Sequence, residues 1–180
     1  MSTAGAPETE LTGRMLDCDG HLYMEPDVMA DIVGPAGSSW IIDYLRNFVG
    51  SEQDLEMRAR AHDDVWSVKG ISAWGSTDVE ARLAAMDTMG IARQLVFPNT
   101  VLREIRSGSP EALEACRRYN DYVLDVNRRG AGRVRVVCEV NTSDPAWALT
   151  ELRRVIDDGA PAVLLPCAEP PHRIPHRVGR

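Results

Sequence analysis

The chain is expected to fold as an α/β domain of parallel βα units. In its back half, short apolar runs alternate with segments of helical periodicity between residues 77 and 165. Each helical segment carries its own start and stop signals. At 180 residues and 44% apolar composition, the chain suits one domain with a real core.

The first strand is expected at Arg14–Asp19, whose side chains would alternate with period two. Asp17, Asp19 and His21 would then point to one side, at or just beyond the strand's end. A carboxylate and an imidazole two residues apart can close on one divalent ion. From Leu22 to Ser76 the chain is irregular, with Pro26, Gly34-Pro35, Gly37-Ser38-Ser39 and Gly50, and a charged helical piece near Glu52–Asp64. A βα insertion of this length either covers a site as a lid or is a surface excursion.

The regular part follows. Thr77-Asp78-Val79-Glu80 reads as a capping box with Thr77 at the N-cap. Val79, Leu83, Met86 and Met89 continue at helical spacing, and Gly90 supplies the stop. Arg93–Phe97 is a buried strand closed by Pro98-Asn99. Ser109-Pro110 opens a second helix. Its apolar face runs through Leu113, Cys116, Tyr119, Asn120, Val123 and Val126 to a stop near Gly130. Arg133–Val140 is the next strand. Asp144-Pro145 starts a third helix carried by Ala148, Leu152, Val155 and Ile156 and ending at Gly159. Ala162–Leu165 is the last strand. Residues 1–13 read as a disordered tail and 167–180 as an irregular one, around a domain at 14–166 whose insertion spans 22–76. A (β/α)8 barrel needs eight strands and about 250 residues. These parallel βα units therefore amount to about half of a TIM-like barrel, truncated after Pro166.

The formal net charge of −7 argues against a nucleic-acid or anionic-membrane surface. The longest apolar runs are too short to span a membrane. The first dozen residues lack the basic start and apolar stretch of a signal peptide, so a cytoplasmic location is expected. Cys18, Cys116, Cys138 and Cys167 are widely spaced, and reduced thiols are expected rather than a zinc knot or disulfide framework.

Three blocks carry a resemblance. They are DCDGHLYMEP (Asp17–Pro26), EARLAAMDTMGIARQLVFPN (Glu80–Asn99), and ACRRYNDYVLDV (Ala115–Val126) followed by Asp144–Pro166. Together they resemble the amidohydrolase-related barrel family that includes aminocarboxymuconate-semialdehyde decarboxylase, over most of the chain. The resemblance implies a barrel with a metal at the strand C-termini, usually zinc, and hydrolysis or non-oxidative decarboxylation of a small carboxylated substrate, aromatic ones included. The family's first-strand ligand pair, often H-x-H, falls on Asp19 and His21. An Asp in place of the first His shifts the site toward Mn²⁺ or Mg²⁺. The family's remaining ligands, two His and an Asp, come from later strands. His172 and His176 do not align with them, so the chain alone is expected to be inactive. The resemblance also implies association, and a homodimer is expected.

Other readings stand beside this one. The chain can be a non-catalytic remnant or a fragment completed by a partner. Asp17-x-Asp19-Gly20 also resembles the opening of haloacid-dehalogenase-like phosphatases, with Asp17 as nucleophile, Asp19 as acid/base, and Thr100 as the second motif. An EF-hand loop from Asp17 fails, because Leu22 and Val28 stand where Gly and Glu are needed.

Individual residues carry paired readings. Asp17 is either an orienting group behind the ligands or a solvent-facing carboxylate. Glu25 lies near the substrate mouth or caps the helix at Asp27–Ile32. His62 lies on a solvated helix face or reaches a substrate from a lid. Trp40, Trp66 and Trp74 line a pocket or anchor the insertion. Arg82 and Asp87 pair on the helix surface or anchor loops. Arg117-Arg118 and Arg128-Arg129 read as solvated helix ends.

Overall fold

The structure, a computed structural model, describes residue 13 and residues 15–34, 40–99 and 105–166. The expected tails fall outside the described residues except for Gly13, as do Thr100, Cys167, His172 and His176.

The architecture is α/β. In chain order, β1 (Met15–Leu22) is followed by α1 (Pro26–Val33), α2 (Trp40–Phe48) and α3 (Glu52–Ala61). A 3-10 turn at Gly70–Ser72 leads into α4 (Val79–Met89) and β2 (Ile91–Pro98). Then come α5 (Pro110–Arg129), β3 (Val134–Val136), β4 (Cys138–Glu139), α6 (Pro145–Asp157) and β5 (Val163–Leu164).

Every ladder is parallel. β1 pairs with β2, β2 with β3, and β4 with β5. Only Val137 separates β3 from β4, and its amide still donates to Val96 O, at 2.9 Å. Residues 134–139 thus form one extended segment, held by β2 along its first half and by β5 along its second.

The caps explain the helices. Ser109 Oγ accepts from Ala112 N, with Pro110 at the first helical position of α5. The Asp144 carboxylate accepts from Ala146 N and Trp147 N to start α6. Gly90 closes α4 in the left-handed conformation, φ 72°. One cap differs from expectation. The N-cap of α4 is Asp78, whose carboxylate accepts from Ala81 N at 2.7 Å. Thr77 is drawn away because its hydroxyl donates to Glu25 Oε1 at 3.0 Å.

The insertion is helical rather than irregular. Its ends are tied by Tyr23 N donating to Ser76 O, and Arg118 of α5 donates to Ile32 O and Val33 O, closing the C-terminus of α1. Arg118 therefore does not belong to a solvated helix end. Arg129 bridges to Glu80 across helices, and Arg128 pairs with Asp125 on its own helix.

The sheet has two unlike faces. Gln94, Val96, Val134 and Val136 are buried beneath α4 and α5, while Arg93 and Arg135 on the opposite face are exposed. Met24, Met29, Met86, Val96, Tyr119 and Val123 form the centre of the core. Tyr119 satisfies its hydroxyl by donating to Val137 O at 3.2 Å. Cys116 and Cys138 are free and buried, and burial pushes each thiol up to about 12, which leaves them unreactive.

Apolar periodicity misplaces two helix faces. Arg82 takes a place on the buried side of α4, where Leu83 and Met89 are only partly buried. On α6, Glu151 is fully buried while Ile156 is 56% exposed. Polar partners cause the exchange on α6. Glu151 Oε1 accepts from Asn120 Nδ2 at 2.8 Å and pairs with Arg154 at 2.6 Å. Asn120 also accepts Glu139 N and donates to Glu139 O, stitching α5 to both β4 and α6.

Asn120→Ala strands the buried Glu139 amide and weakens the seating of Glu151. The expected cost is roughly 2–3 kcal/mol, read as a lowered urea midpoint at unchanged slope. Burial pushes the Glu151 carboxyl up, but the hydrogen bonds from Arg154 and Asn120 outweigh it and hold the group below its ordinary value. A depressed folded-state pKa gives stability that is full above the unfolded value and lost as pH falls through the folded one. The stability gap between wild type and Glu151→Gln is therefore expected to narrow as pH falls below the ordinary glutamate value of 4.5, measured by chemical denaturation.

Candidate functional site at the end of the first strand

The first strand is longer than its apolar residues suggest, and it is bulged. Asp17 is opposite Gln94 and Gly20 opposite Val96, so three steps on β1 match two on β2. The extra residue at Cys18–Asp19 shifts the phase of every side chain after it. Asp17 before the bulge and Gly20 after it both lie on the helix-covered face, against Gln94. A Cβ added to Gly20 would come within 2.7 Å of the Gln94 side chain. Asp19 and His21 fall on the other face and are exposed. The expectation that Asp17, Asp19 and His21 share one side is therefore corrected. The bulge sets Asp19 and His21 on one face of the strand and Asp17 on the other, while all three still border one cleft.

Asp17 is held on both oxygens. Oδ1 accepts from Asp19 N at 2.9 Å, and Oδ2 accepts from Gln94 Nε2 at 2.6 Å. The first bond pins the bulge, and the second anchors it to β2. A nucleophilic carboxylate needs an oxygen aimed at the open end of the sheet, and this arrangement lends the phosphatase reading no support.

Behind Gln94 lies Arg82, only 8% exposed. Its NH1 donates to Gln94 Oε1 at 2.8 Å, and NH2 donates to His21 O at 2.7 Å and Ser76 O at 3.2 Å. Burial lowers its pKa to about 10, and the Asp17 charge opposes that drop. Arg82 is thus a buried tie rather than part of a helix-surface pair. Asp87 does lie on the surface, where it meets Arg133 NH1 at 2.7 Å.

A cleft of about 430 Å³ runs along this edge of β1. Asp17, Asp19 and His21 share it with Tyr23, Trp66, Trp74 and Lys69 of the insertion, and Ala85, Met86 and Met89 of α4 form an apolar wall. Trp66 and Trp74 are therefore pocket-lining residues. Trp40, at the start of α2, is 65% exposed and does not line this cleft. His62 follows α3 and packs on Trp74, ring centroids 4.1 Å apart.

Glu25 occupies the N-cap position of α1 but makes no side-chain cap. It accepts the Thr77 hydroxyl and lies 3.6 Å from Arg58, so it locks two parts of the insertion together. Asp54, buried at 1% exposure, completes that lock. It accepts from Gly50 N, Ser72 Oγ and Arg58 Nε.

Sequence reasoning passed over Glu139. It is fully buried at the end of β4 and takes a two-pronged hydrogen bond from Arg106, at 2.7 and 3.0 Å. Burial raises its pKa, and Arg106 offsets only part of that rise. The available signal was a single acid in the otherwise apolar run VVCEV.

Among the described residues, no cluster of three or more His, Cys, Asp or Glu side chains is placed to hold a metal ion. None of the described helices is long and apolar enough to cross a membrane. Comparison of the chain with protein-family models, curated proteins and solved structures yields no match.

Arg82→Met frees the His21 and Ser76 carbonyls and leaves Gln94 without its donor. A loss of roughly 3 kcal/mol is expected from denaturant titration, with His21 resonances shifting in the folded variant.

Proposed function

We propose that the chain is the N-terminal part of a metal-dependent amidohydrolase-like hydrolase or decarboxylase, built as about half of a (β/α)8 barrel and acting on a small carboxylated substrate. The observation that carries this reading is the bulge that presents Asp19 and His21 together at the C-terminal end of a parallel strand. Ligands of parallel α/β folds bind at that end. Tyr23, Trp66 and Trp74 offer aromatic walls, and Lys69 offers a cation for a substrate carboxylate.

The donor set marks the limit of this site. Zinc suits the imidazole of His21, and manganese or magnesium suits the carboxylate of Asp19. A catalytic zinc takes about three protein ligands. Asp19 and His21 supply two, and both are exposed. The described residues thus form a corner of a metal site rather than a tight centre, and no catalytic step is assigned to an ion held by them. The same shortfall favours a second reading, a non-catalytic or partner-completed fragment. Small-molecule binding without nucleic acid or membrane, a cytoplasmic location and homodimerisation belong to this proposal.

Zinc titration followed by NMR of the histidine rings tests it. His21 is expected to shift in fast exchange, and the ion to be lost on dialysis. Asp19→Ala and His21→Ala should each abolish the shift. A His21 ring indifferent to zinc, manganese and magnesium overturns the metal reading. One zinc per chain retained through dialysis overturns the two-donor corner.

A further inference from the structure

The insertion borders a second cavity, of about 320 Å³, beside the candidate site. α2 supplies Ile41, Tyr44 and Phe48 to its walls, α3 supplies Met57, and the 3-10 turn supplies Ile71. Tyr44 and Phe48 are one helical turn apart on α2, and their rings lie nearly parallel, 7° between planes and 6.1 Å between centroids. They give the cavity an aromatic wall, against which a further ring gains by offset stacking as well as by burial. One buried carboxylate holds the surrounding elements. Asp54 accepts from Gly50 N after α2 at 2.9 Å, from Arg58 Nε on α3 at 2.9 Å and from Ser72 Oγ of the turn at 2.6 Å. The walls are thus set before a ligand arrives, which lowers the cost of binding one.

The cavity carries charge of one sign. Lys69, the sole lysine of the chain, lines it and is exposed to solvent. No acidic side chain lines it beside Lys69. Among the described residues, the Lys69 ammonium takes part in no ion pair. Lys69, Gly70 and Tyr23 also line the cleft at the end of β1, so the two spaces adjoin at this lysine. An anion drawn to Lys69 can therefore lay its body on either side. With no ion bound, the cleft side carries the Asp17 and Asp19 carboxylates, which disfavour a third negative charge. The cavity side has apolar and aromatic walls and no acid.

We propose that this cavity binds a small arylalkanoate, its ring against Tyr44 and Phe48 and its carboxylate at Lys69. The volume is at the small end of the range for ligand pockets, which suits one ring with a short acidic arm. The apolar walls supply affinity, and the single cation selects an acid over a neutral or basic molecule of the same shape. The site needs no ion at Asp19 and His21, so it stands or falls separately from the metal corner.

The test is NMR titration of the full chain with 4-phenylbutyrate in metal-free buffer. The Tyr44 ring and the Met57 methyl are expected to shift saturably, with a Kd on the order of 0.1–1 mM. The indole of Trp66, which lines the cleft and not the cavity, is expected to stay in place. 4-Phenylbutanol, the same shape without the charge, should bind about fivefold more weakly. Lys69→Gln should bring the acid to the level of the alcohol and leave the alcohol's own affinity unchanged, a result that a merely structural lysine would not give. Met57→Trp, which fills the cavity, should abolish binding of both probes while keeping the far-UV circular dichroism of the wild type. The comparison of acid with alcohol on the wild type needs no variant to fold. Shifts at Trp66 in place of Met57 overturn the proposal, as does the absence of saturation up to about 10 mM. An alcohol that binds as tightly as the acid overturns it too, as does a Lys69→Gln variant that weakens both probes alike.

Discussion

The structure turns on one buried cation. Arg82 reaches from α4 to the carbonyl of His21, to the carbonyl of Ser76 and to the amide side chain of Gln94. Those three contacts join the end of β1, the exit of the insertion and the middle of β2. A guanidinium suits this task because it offers several donors in a rigid plane and keeps its charge under burial. Its pKa stays near 10 despite desolvation, partly because Asp17 faces it through Gln94. Gly75 is part of the same arrangement. At φ 75° its missing side chain lets the backbone of the insertion lie directly against Arg82, where a Cβ would come within 2.3 Å of the Arg82 Cα.

The bulge in β1 depends on that cation in turn. Gln94 is fixed by Arg82, Asp17 is fixed by Gln94, and the Asp19 amide is fixed by Asp17. The chain of bonds sets which residues of DCDGH face the helices and which face outward. Asp17 thereby becomes a positioning group, and Asp19 and His21 become the pair presented to solvent.

A second buried polar group organises the other half of the sheet. Asn120 satisfies both backbone groups of Glu139 and one oxygen of Glu151, while Arg106 and Arg154 neutralise the two acids. The two carboxylates respond oppositely to burial. Glu139 has one exposed-side cation and is raised, whereas Glu151 gains enough hydrogen bonds to be lowered. Buried charge here is tolerated because nearly every oxygen has a donor.

Much of the architecture was legible in the residues. The helix starts at Ser109-Pro110 and Asp144-Pro145, the stop at Gly90 and the alternation of short strands with helices are all local signals, and local hydrogen bonding and glycine stereochemistry enforce them. The spacing of Asp17, Asp19 and His21 along β1 was legible too. The bulge was not, because an extra residue in a strand shows only in its register against a neighbour. The burial of Arg82, Glu139 and Glu151 was equally hidden, since a charged residue enters a core only when partners far along the chain meet it there. The starts of α5 and α6, the stop of α4 and the alternation of strand and helix thus follow from the sequence alone. Which of Asp17, Asp19 and His21 stand together was decided by the tertiary pairing of β1 with β2, because that pairing sets the phase of every side chain beyond Asp17.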